Sequence, residues 1–146
     1  MKIKIWVDKK YEEPEIVICT DRRTQQTDHI RKVIEDALNA TIVGYTEQGA
    51  RVLACQDIIR IYAEGDRVMA QCPDGLFMLK EKLYELEEGL DPRKFVRISR
   101  SELVNLGKIK RLDTKLTGTI RIYLQGDIET YVSRRNVTRI KKLLGV

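Results

Sequence analysis

From residue 41 onward the chain is a succession of short β-type runs, each closed by turn residues, and few folds accommodate that texture. The runs fall at 41–45, 51–54, 58–62, 67–71 and 76–79, and again at 94–99, 103–106, 108–112, 119–124 and 128–132. Between them stand Gln48-Gly49, Glu64-Gly65-Asp66, Pro73-Asp74-Gly75, Gly118 and Gln125-Gly126-Asp127. Such tight turns leave no length for the crossover helices that parallel strands need, so the pattern predicts antiparallel sheet. One helix interrupts the series, with Leu83, Leu86 and Leu90 on its inner face and Gly89 near its end. Another closes it, opening at Ser133 or Asn136 and burying Val137, Ile140, Leu143 and Leu144. The expected fold class is therefore mainly β with flanking helices, an α+β arrangement.

Residues 1–40 read differently. Lys2-Ile-Lys-Ile-Trp-Val7 alternates with a period of two, and a turn at Pro14 leads to Glu15-Ile-Val-Ile-Cys19. Thr27 or Asp28 then caps a helix whose apolar residues recur at Ile30, Val33, Ile34, Ala37 and Leu38, a single stripe. This β-β-α extension is too small to be stable alone. Its open strand edges and apolar stripe need cover from the 41–146 domain or from a second copy, and we expect a homodimer.

Charge separates the same two parts of the chain. Residues 91–146 carry 14 Lys and Arg against 5 Asp and Glu, whereas residues 1–90 carry 13 against 17. A polyanion-binding face is thereby expected in the C-terminal half. No apolar run approaches the roughly 20 residues that span a bilayer. The N-terminus is also too short and too alternating for a signal peptide, so a cytoplasmic location is expected. The three cysteines Cys19, Cys55 and Cys72 are odd in number and widely spaced, and His29 stands alone, so buried or half-buried thiols are expected and no metal or cofactor. One histidine and no carboxylate cluster beside the basic segments give general acid–base chemistry nothing to work with, and no enzyme is expected.

Two segments within the basic half concentrate arginine beside serine. In Phe95-Val-Arg-Ile-Ser-Arg-Ser101, a strand over 94–99 puts Phe95 on a face with Arg97 and Ser99, and Val96 with Ile98 on the other. Arg100 and Ser101 then project from the connection that follows. In Tyr131-Val-Ser-Arg-Arg-Asn136, a strand hands over to a helix whose first N–H groups are unpaired. Arg134 and Arg135 are unfavourable at that positive end unless an anion neutralises them, which points to phosphate or a groove of DNA. On the same helix Arg139 and Lys142 face away from the apolar residues.

These segments, with Asp57-Ile-Ile-Arg-Ile-Tyr62 before them and Val-Asn105, Lys108-Ile109 and Ile122-Tyr-Leu-Gln-Gly-Asp127 between and after, resemble the LytTR (LytR/AlgR-type) DNA-binding domain over residues 41–146. The resemblance implies an elongated antiparallel β domain that binds double-stranded promoter DNA through loops in successive major grooves. Base-reading loops then correspond to Glu64-Gly65-Asp66-Arg67, to Ser99-Arg100-Ser101 and to Arg134-Arg135-Asn136. Arg97, Ser101, Tyr131, Ser133 and Arg139 fall at backbone-contacting positions. Ser99 stands where the family often has histidine, and Asp66 is acidic, so Arg67 is the stronger candidate in the first loop. The extension replaces the phospho-receiver domain common in the family, which implies a stand-alone regulator, in a branch often paired with a small inhibitory membrane protein.

Other readings compete. RNA or single-strand binding predicts aromatic residues gathered on a strand face, and an aromatic content of 6% with scattered tyrosines offers none in the sequence. A basic protein-interaction module is supported by the charge asymmetry alone.

Overall fold

The computed structural model describes residues 1–12, 14–115 and 118–146, with backbone only for Ala37, Leu38 and Asn39. The chain divides into two compact units, Met1–Asn39 and Ala40–Val146.

In the second unit each turn cluster of the sequence separates two strands. β1 (Thr41–Thr46), β2 (Gly49–Ala54), β3 (Arg60–Glu64), β4 (Arg67–Cys72) and β5 (Gly75–Leu79) precede α2 (Leu83–Gly89). β6 (Phe95–Ser99), β7 (Glu102–Asn105), β8 (Ile109–Asp113), β9 (Ile120–Leu124), β10 (Ile128–Val132) and α3 (Val137–Leu144) follow. Seven strands form one antiparallel sheet in the order β2-β1-β5-β4-β3-β7-β6, and β10-β9-β8 form a smaller one. The fold is thus mixed α and β, with antiparallel sheets and flanking helices.

Successive residues of the large sheet feed two separate cores. Ile58, Ile61, Phe95 and Leu103 join Leu83 and Leu86 of α2 in the first. Ile59, Val96, Ile98 and Val104 join Ile120, Ile122, Val132 of the small sheet and Ile140 of α3 in the second. In β6 and β7 the period of two along a strand does this sorting, because neighbours point to opposite faces, whereas Ile58 and Ile59 lie just before β3. β6 and β7 are consequently covered on both sides, and all four residues of β7 are buried. Ile98 is 0% exposed, and its truncation to alanine is worth about 2–5 kcal/mol by the usual cost of a core cavity. Gly44 marks the tightest approach: a Cβ there would lie 2.7 Å from both Leu53 and Phe77.

The first unit departs from its sequence pattern. Helix α1 (Gln25–Asn39) forms, but it starts a turn earlier than expected, with Thr24 and Thr27 exchanging side-chain-to-backbone bonds of 2.9 and 3.3 Å. Ala37 and Leu38, expected on its stripe, lie outside the described side chains. Residues 2–7 and 15–19 form no ladder among the described residues. An alternating pattern specifies which face is apolar, but a strand exists only where a second strand supplies its backbone partners. Cys19, expected half-buried or buried, is exposed for the same reason, while Cys55 and Cys72 are buried. Burial, ahead of the charges of Asp74 and Asp57, pushes the Cys72 thiol up to about 11. Among the described residues no helix is long and apolar enough to cross a membrane.

Candidate nucleic-acid interface

The hairpin of β6 and β7 presents Arg100 and Ser101 at its turn, between the paired residues Ser99 and Glu102. Pairing runs Arg97 to Leu103 and then Ser99 to Glu102, so the register slips at Ile98. A bulge of this kind frees main-chain groups from the ladder and re-aims them. The Ile98 carbonyl accepts from the Ser133 N–H at 2.9 Å and from Asn136 Nδ2 at 3.4 Å. The bulge is therefore where the second arginine segment attaches to the first.

Arg97 is turned inward to hold the turn. Its Nε donates to the Ser99 carbonyl at 2.7 Å and its Nη2 to the Arg100 carbonyl at 2.6 Å. Nη1 meets Glu87 of α2 at 2.7 Å, leaving the side chain 22% exposed. A planar fork of donors suits this task, and a lysine could not span the same carbonyls. The turn is anchored from its other side as well, where the Ala63 N–H donates to the Ser101 carbonyl at 2.8 Å. Ser99 Oγ accepts from the Ser101 N–H at 3.3 Å. The Arg100 side chain is exposed and makes no hydrogen bond or ion pair among the described residues.

Beyond β10 the chain makes a short 3-10 turn, Arg134–Asn136, before α3 begins at Val137. Neither expected cap acts as a cap. Ser133 Oγ accepts from Asn136 Nδ2 at 2.7 Å, and no side-chain cap bond is made. The Asn136 N–H is already bonded to the Ser133 carbonyl at 2.8 Å, and that of Val137 to the Arg134 carbonyl. Two of the donors expected to be open for phosphate, those of Asn136 and Val137, are thus used locally. Arg139 is committed too: Nη2 donates to the Arg97 carbonyl and, at 3.0 Å, to Asn136 Oδ1. Arg134 and Arg135 are exposed. A Cβ on Gly118 would lie 3.7 Å from Arg134 Nε, so Arg134 runs along the connection before β9.

A buried polar network ties the two sheets together behind these loops. Glu102, directly after the Arg100-Ser101 turn, accepts from Thr130 Oγ1 of β10 at 2.8 Å. Its other oxygen faces Arg60 Nη1 at 3.5 Å, and Arg60 Nε donates to Gln71 at 2.7 Å. Burial pushes the Glu102 carboxyl above its ordinary range, against the opposing influence of the Thr130 bond and the Arg60 charge. Glu102 opens a run whose other members are Leu103 and Val104, and a carboxylate beside a doubly covered strand is the one hint the sequence offered.

The remaining loop lies at the same end of the large sheet. Gly65 and Asp66 form the two-residue turn between Glu64 and Arg67, with Gly65 supplying the positive φ of 62°. Because β3 pairs with β7 through Tyr62 and Glu102, this turn and the Arg100 turn are neighbours. Asp66 and Arg67 are both exposed. Tyr131 projects from the outer face of the small sheet, 48% exposed, with the Arg121 guanidinium 5.1 Å from its ring centre.

Residues 48–145 match the sequence profile of the LytTr DNA-binding domain. The chain belongs to the LytTR DNA-binding domain family. It is also 34% identical over 151 residues to an uncharacterized HTH-type transcriptional regulator of Staphylococcus aureus strain MSSA476, covering 100% of this chain and 99% of that protein. A similarly named protein of strain NCTC 8325 / PS 47 is 33% identical over 147 residues, with the same coverage. A LytTr DNA-binding domain from Bacillus cereus shares the fold, with a TM-score of 0.71 at 21% identity over 74% of this chain and 99% of that one. The LytTR domain is a DNA-binding, non-catalytic module. In this member no two helices adjoin across a short turn among the described residues: strands separate α1 from α2 and α2 from α3.

Proposed function

We propose that this LytTR protein is a transcriptional regulator that reads double-stranded promoter DNA with the turns at one end of its large sheet, acting in the cytoplasm. The observation that carries the reading is the joining of the two arginine segments at Ile98, which leaves Arg100 and Arg135 exposed on a shared, internally braced support. Exposed guanidinium groups on rigid turns suit the paired acceptors of guanine in the major groove. Arg134, Ser99 and Ser101 flank them and suit the phosphates beside such contacts. Arg97, Ser133, Asn136 and Arg139 act chiefly by holding those turns, since their donors are engaged within the protein. The staphylococcal relatives, named as transcriptional regulators, support the same assignment.

Fluorescence anisotropy with labelled duplexes tests the reading. Binding should favour the DNA upstream of its own gene over random duplex and fall steeply with salt. Arg100→Ala and Arg135→Ala should each weaken the preferred duplex by about 1–3 kcal/mol while leaving random-duplex binding much less affected. Unchanged affinity and preference in both variants would refute the assignment. Single-strand binding is less well supported, because the tyrosines of the small sheet's outer face already carry guanidinium groups, Arg111 over Tyr123 at 4.0 Å and Arg121 over Tyr131 at 5.1 Å.

A further inference from the structure

Residues 2–7 and 15–19 have the sequence of strands but none of the burial. Ile3, Ile5 and Val7 are 94, 89 and 88% exposed, and Ile16 and Val17 are 61 and 71% exposed. Trp6 is 84% exposed. A reversal is nevertheless built between the two stretches, where the Tyr11 N–H donates to the Asp8 carbonyl at 3.3 Å and the Lys10 N–H to Asp8 Oδ1 at 3.0 Å. The chain turns back, yet among the described residues no hairpin ladder follows.

We propose that the extension is completed by a second copy of this chain, residues 2–7 of each copy pairing antiparallel with residues 15–19 of the other. The two stretches are complementary in charge: Lys2, Lys4, Lys9 and Lys10 lie on and after the first, and Glu12 and Glu15 lie before and on the second. They are complementary in pattern as well. In the antiparallel register that overlaps both stretches, Ile3 opposes Ile18 and Ile5 opposes Ile16 on one face, Lys4 is the diagonal neighbour of Glu15 on the other, and Lys9 opposes Glu12. Two such ladders related by a two-fold axis satisfy every strand with a partner of the opposite sign, as an exchanged element does. A two-stranded ladder is marginal alone, and Val33, 48% exposed on α1, belongs to the stripe that would cover the apolar face. The staphylococcal relatives match over 99% of their own length, so in them no additional domain is present to cover the same stretch. This pairing stands independently of the DNA-reading assignment.

The test is a charge-exchange experiment on the full chain, read by sedimentation from micromolar to hundreds of micromolar protein. Wild type should be a dimer. The variant Lys4→Glu/Lys9→Glu and the variant Glu12→Lys/Glu15→Lys should each lose the dimer while keeping the cooperative thermal unfolding of the wild-type β domain. Mixed in equal amounts they should form a heterodimer, because each reversed strand then meets an opposite charge on the other copy. Ile5→Asp, which leaves the charge pairing in place and opens the apolar face, should also give a monomer. A monomeric wild type, dimerisation of either charge variant at wild-type strength, or a mixture that stays monomeric would overturn the proposal.

Discussion

The β3–β4 and β6–β7 turns are neighbours at one end of the same sheet, yet they are held by different means. Backbone geometry alone shapes the first, through the positive φ of Gly65, and its charges Asp66 and Arg67 project without internal partners among the described residues. The Arg97 side chain braces the second by gripping two of its carbonyls and Glu87, and the Ala63 main-chain N–H holds a third carbonyl. A turn braced in this way keeps Arg100 in one place, and fixed geometry is what a directional contact to a base edge requires. We propose that the first turn needs only to bring a positive charge near a phosphate, a task that tolerates looseness, so that the second turn reads a base edge and the first adheres to the backbone.

The largest effect that could break this contrast is expected from Arg97→Ala. It removes hydrogen bonds from a charged donor, each worth about 1.5–3 kcal/mol, and should lower the urea midpoint as well as the preference for the target duplex. Arg100→Ala should leave the urea midpoint unchanged, because its side chain holds nothing in place. If Arg97→Ala binds target and random duplex as wild type does, the brace is irrelevant to recognition and the contrast fails.

A smaller effect is expected at the first turn. Arg67→Ala should weaken target and random duplexes alike and reduce the salt slope by about 1, as for loss of a single phosphate contact. Loss of sequence preference in this variant would move the turn into the reading class.

The smallest effect concerns the network behind both turns. Since burial raises the folded value of Glu102, its ionisation costs folding free energy. That cost is absent below the ordinary carboxylate range and grows as pH rises through the folded value. Wild type should therefore lose stability relative to Glu102→Gln between acidic and neutral pH, measured by urea unfolding at a series of pH values. A difference between the two proteins that does not change with pH would show that the carboxyl ionises at no cost.

Much of the β domain was legible because its strands are short and their ends carry turn residues such as Gly49, Gly65 and Gly126. The alternation of Phe95 with Val96, and of Arg97 with Ile98, correctly separated the faces of β6. What stayed hidden depends on partners distant in sequence. Alternation could not reveal that Arg97 meets Glu87 across the α2 face, nor that Glu102 meets Thr130 from another sheet. Ser133 and Asn136 look like helix caps by composition, but the Ile98 carbonyl and each other are nearer partners. For residues 2–7 and 15–19 the pattern was strong, and the missing ingredient was a partner strand.

The slip at Ile98 also bears on how such a domain can diversify. Because the small sheet hangs from that carbonyl by the Ser133 N–H, the two residues of chain between Thr130, held by Glu102, and Ser133 have a fixed length. One residue added there would turn Arg134 and Arg135 away from Arg100. The turn joining β9 to β10 lies outside that span and is tied instead to the Lys108 carbonyl through the Gln125 N–H at 2.9 Å. A residue added in that turn would disturb this tie but leave the spacing of Arg134 and Arg135 from Arg100 unchanged.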